Sequence, residues 1–106
     1  MPYKVVYHVG DRVDPNTKLG SGRVAVSRDS LWLSGSSPLT LPFSSITGVE
    51  LLRPHPRLSL MVKVMAGSST VFLSVLLFRV FGDVFVTSQD GTIRLYDRLK
   101  KYCVVA

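Results

Sequence analysis

One cysteine, Cys103, and two histidines, His8 and His55, are all that this 106-residue chain offers toward thiolate or imidazole chemistry. A single thiol excludes a disulfide framework and any multi-thiolate metal site. Acidic residues are also scarce, with seven Asp and Glu against thirteen Lys and Arg. No uncharged apolar window reaches the roughly 18 residues that a membrane-spanning helix needs. The opening Met-Pro-Tyr-Lys-Val-Val-Tyr-His-Val lacks the continuous apolar core of a secretory signal, so a cytoplasmic chain is the expectation. Charged residues make up 19 % and apolar residues 46 %, which excludes wholesale disorder and suffices for one core. The length fits a single domain over residues 1–106.

What the chain has in quantity is valine (16) and leucine (14), and stiff branched side chains favour strands. The dominant pattern is period-two alternation broken by turn residues. Tyr3, Val5, Tyr7 and Val9 alternate with Lys4, Val6 and His8. The polar stretch Gly10–Gly20 reads as a loop. Gly22–Ser27 and Leu31–Leu33 form a hairpin about Arg28-Asp29-Ser30. In Leu39-Thr-Leu-Pro-Phe43, Pro42 confines the run to an edge or a strand end. Val49–Arg53 is a further strand, and Pro54-His55-Pro56 is a rigid turn. Leu58, Leu60, Val62 and Val64 alternate with Ser59, Met61, Lys63 and Met65, the cleanest alternation in the chain. Val71–Phe81 is apolar on both faces, as a central or an interface strand would be.

The period changes at the C-terminus. From Thr92 to Cys103, Leu95, Tyr96, Leu99, Tyr102 and Cys103 gather on one face at 100° per residue, with Arg94, Arg98 and Lys101 opposite. A helix over 90–103, capped by Ser88 or Asp90, is favoured over a hairpin turning on Asp90-Gly91.

Short meandering strands followed by one amphipathic helix resemble the pleckstrin-homology (PH) superfold, including GRAM and bacterial PH-like domains. Gly22-Arg-Val-Ala-Val-Ser-Arg-Asp-Ser-Leu-Trp-Leu33 resembles the opening hairpin of GRAM domains. Leu39-Thr-Leu-Pro-Phe-Ser-Ser-Ile-Thr-Gly-Val-Glu50 resembles the segment that follows it there. The likeness covers about residues 20–103 and leaves 1–20 as an additional N-terminal strand and loop. It implies a mainly β domain, a partly open antiparallel barrel capped by the C-terminal helix. The lysine–arginine motif of many lipid-binding PH domains is not reproduced: Lys18, Arg23 and Arg28 are spaced differently.

Nothing in the sequence assembles a catalytic set. Cys103 falls on the apolar helix face, where buried thiols are inert. His8 and His55 have no partner motif, and Asp11, Asp14 and Asn16 lack the spacing of a calcium loop. No serine lies in a nucleophile elbow. The expectation is a protein that is not an enzyme and needs no cofactor or metal.

Binding is the better supported class. The net charge is +6, with +2 on residues 1–53 and +4 on 54–106. Candidate anion- or lipid-binding residues are Lys18, Arg23, Arg28, Arg53 and Arg57. Candidate protein contacts are the helix stripe Arg94, Arg98 and Lys101 and the apolar positions Met61, Met65, Leu73 and Val75. The last four would form a surplus apolar patch if the helix did not cover them. Aromatics are not interleaved with the basic residues as base-stacking readers require, which argues against specific nucleic-acid recognition. The leading expectation is an interaction module that docks a protein partner and forms a homo-oligomer. A peripheral membrane domain that binds anionic headgroups is the alternative. A third reading, an adaptor in archaeal taxis signalling, rests on fold analogy.

Overall fold

Alternation in the sequence becomes strand in the computed structural model, which describes residues 3–10, 13, 19–35, 38–53, 60–67, 69–81 and 84–102. In chain order these form β1 (Tyr3–Val9), β2 (Gly20–Val26), β3 (Ser30–Ser34) and β4 (Leu39–Pro42). A short 3-10 turn, Phe43–Ser45, leads into β5 (Ile46–Leu52), β6 (Met61–Ala66), β7 (Ser69–Phe81), β8 (Val84–Thr87) and α1 (Gln89–Tyr102). All the strand pairings are antiparallel, in the order β4-β3-β2-β1-β7-β6-β5, with β8 on β7.

This order forces curvature. β4 and β5 lie at opposite ends of the sheet, yet only Phe43–Ser45 joins them. A connector that short spans at most about 14 Å, so the sheet must roll until its two edges approach. The result is a curled antiparallel half-barrel capped by α1, as in PH-like folds. Pro42 ends the edge strand β4, where its missing N–H costs no ladder bond.

The inner face follows the alternation. Val5 and Tyr7, Val24 and Val26, Leu31 and Leu33, Val62 and Val64, and Val71 and Leu73 enter one core with Leu95 and Leu99 of α1. Ile46 and Val49 both point inward although they are three positions apart, an odd step that alternation would send to opposite faces. A register shift between Ile46 and Gly48 turns the strand over, as a bulge does.

Two sequence expectations change here. β1, read as an addition ahead of the PH-like region, lies between β2 and β7 at the centre of the sheet. Its pairing with β7 is non-local, and alternation along one strand carries no information about it. The expected surplus apolar patch also fails at two of its members. Leu73 is 0 % exposed in the inner core, and Met61 is 1 % exposed in a second cluster with Val13 and Phe72, with Leu19 packed against it. Val13 and Leu19, from the segment between β1 and β2, cover an outer face that alternation alone marks as solvent-facing.

The helix is fixed to the sheet at its first turn. Ser88 Oγ accepts the Gly91 N–H at 2.9 Å, as an N-cap does. The Ser88 N–H donates to the Val75 carbonyl at 2.8 Å. Leu95 and Leu99 then carry the helix across the open end of the core, and no helix among the described residues is long and apolar enough to cross a membrane.

Candidate functional site

The outer face of β2, β3 and β4 is the solvent side of an alternation whose inner members are Val24, Val26, Leu31, Leu33 and Leu41. The outward residues are Arg23, Ala25, Trp32, Ser34 and Thr40. Cross-strand register sets Arg23 opposite Ser34, Ala25 opposite Trp32, and Trp32 opposite Thr40. These residues line a groove of ≈ 540 Å³ that Leu33, Pro38 and Leu39 complete.

Trp32 dominates this groove. It is the only tryptophan in the chain and is 55 % exposed. The Nε1–H donates to Ser30 Oγ at 2.7 Å. Ser30 is itself buried and bonded through its Oγ and N–H to Ser27 Oγ, both at 3.1 Å. The indole is thus held at its polar edge by an ordered turn while much of its surface meets solvent. Ala25 opposite presents only a methyl group, so β2 does not cover the ring.

The basic candidates do not gather in one place. Arg23 lines the groove, whereas Arg28 is exposed in the β2–β3 turn, roughly 15 Å further along by strand rise. The neighbouring Asp29 carbonyl accepts the Phe43 N–H at 2.9 Å, which places that turn near the start of β5. Arg53 follows the far end of β5, roughly 20 Å away by the same rise. Lys18 and Arg57 lie outside the described residues, as do His55, Cys103, Asp11, Asp14 and Asn16.

On α1, Arg94 and Lys101 are exposed and Arg98 is half-buried, opposite the face that carries Leu95 and Leu99. Of the apolar candidates, Met65 and Val75 are half-buried and Met61 and Leu73 are withdrawn from any contact surface. Among the described residues, the large exposed apolar side chains are instead Val9, Trp32 and Leu77, the last at 60 %. Leu77 lies on β7 beyond Val75, where the pairing with β1 stops and β8 takes over as partner.

Lys4 is the neighbour that sequence reading missed. It pairs directly with Arg23 across β1 and β2, and both side chains are exposed. The available signal was its place on the polar side of the β1 alternation, but only the register brings it to Arg23.

No group of three or more His, Cys, Asp or Glu side chains converges among the described residues. The chain matches no family model, no curated protein and no solved structure.

Proposed function

We propose that this chain is a non-catalytic, PH-like interaction module that docks a protein partner in the groove around Trp32. The observation that carries the reading is the indole itself, exposed yet tethered to Ser30. A large apolar ring already fixed in one orientation loses little conformational entropy on binding, and tryptophan is enriched among residues that dominate interface energetics. The hairpin bearing Trp32 is also the segment that resembles GRAM domains.

Self-association belongs to the same proposal, through the end of β7 where Leu77 is exposed. Sedimentation across a range of concentrations tests it. A concentration-dependent shift that Leu77→Glu abolishes is expected, and a monomer throughout would contradict it.

The membrane alternative has less support. Electrostatic attachment needs cations sharing one face, and Arg28 and Arg53 lie toward opposite ends of the barrel. The deciding experiment pans a displayed random-peptide library against the immobilised chain and counter-selects on Trp32→Ala. Enriched peptides that bind only when Trp32 is present support the proposal. Peptides indifferent to Trp32, together with binding to anionic vesicles at physiological salt, would replace it with the membrane reading.

A further inference from the structure

The outer face also bears on the partner's chemistry. Lys4 and Arg23 are opposed on one face of the β1–β2 ladder. Side chains so placed have Cβ atoms about 5 Å apart, and like charges there repel. Elsewhere the sheet sets opposite charges together, as with Glu50 facing Lys63. Beside Lys4 and Arg23 there is no such relief: among the described residues neither side chain has a carboxylate partner. Two adjacent cations without a counter-ion among the described residues therefore flank a groove containing a tethered indole.

We infer that the groove takes an acidic, extended peptide segment. One Glu or Asp carboxylate bridges the Lys4 ammonium and the Arg23 guanidinium, whose planar fork suits bidentate pairing. An apolar side chain two positions along the peptide lies on Trp32. The spacing agrees: Arg23 and Trp32 are diagonal neighbours through the Ala25–Trp32 and Arg23–Ser34 pairs, roughly 7–8 Å apart. Side chains two residues apart on an extended strand are separated by about 7 Å. The net charge of +6 would draw such a segment in from a distance. This inference rests on the docking role proposed above and adds the chemistry of the docked segment.

The test uses the intact chain and the emission of Trp32, its only tryptophan. Three probes are titrated at about 0.15 M salt: a peptide repeating Glu-Ser-Leu-Ser, its Lys-Ser-Leu-Ser counterpart, and phosphatidylcholine vesicles containing phosphatidylserine. A saturable change with the glutamate peptide alone is expected. Lys4→Gln and Arg23→Gln should each weaken it at least about tenfold, and a chain carrying both Lys4→Glu and Arg23→Glu should bind the lysine peptide instead. Equal binding of both peptides would overturn the acidic assignment and leave the docking groove standing. A response to vesicles alone, or to no probe, would overturn both.

Discussion

The hydroxyl of Thr92 accepts the backbone N–H of Val75 at 3.0 Å and donates to the Ser88 carbonyl at 2.7 Å. One buried side chain thus ties the first turn of α1 to β7. The lid on the core is fixed by polar contacts at its start and by Leu95 and Leu99 further along.

Replacing Thr92 by Val keeps the shape and leaves the Val75 N–H unpaired. The expected loss is about 1–3 kcal/mol, the usual cost of a buried donor without a partner. Thr92→Ser, which keeps the hydroxyl, should recover most of it. Urea unfolding followed by circular dichroism reads both, and a wild-type midpoint for Thr92→Val would contradict this docking of the helix.

Gly22 marks a close backbone approach in the β2–β3 hairpin. A Cβ at that position would lie 2.0 Å from the Ser34 carbonyl oxygen. Neither atom is the end of a flexible side chain, so β2 and β3 would have to separate. Gly22→Ala should cost about 1–3 kcal/mol, within the range for overpacked sites. Gly67 has a positive φ of 59° but open space around it, so Gly67→Asn, a residue that tolerates this conformation, should cost less than Gly22→Ala.

Met61 and Leu77 make an instructive pair, because alternation places Met61 on a polar face while the structure buries it. Met61→Ala should lose about 2–5 kcal/mol, as core truncations do. Leu77→Ser, at a largely exposed position, should change stability by no more than about 0.5 kcal/mol. Equal effects in thermal melts would show that Val13 and Leu19 do not cover Met61.

What was legible in the sequence was local. Alternation located the strands because a half-buried strand has period two, and the 3.6-residue period of Leu95, Tyr96 and Leu99 located the helix, with Ser88 or Asp90 as its cap. What escaped was non-local. The pairing of β1 with β7, the cover of Val13 over Met61, and the meeting of Lys4 with Arg23 all depend on register between distant segments. The candidate site suffered most. Arg23 was visible as a basic candidate, but the groove it shares with Trp32, Thr40 and Pro38 exists only once β4 is paired.

The central claim, that the Trp32 groove docks a protein segment, is tested most directly by one comparison. The affinity of a library-selected peptide is measured for the wild-type chain and for Trp32→Ala at physiological salt, with circular dichroism confirming that both are folded. The account predicts at least about a tenfold loss in the variant, the scale of an aromatic hot spot. Unchanged affinity in a folded Trp32→Ala chain would contradict it.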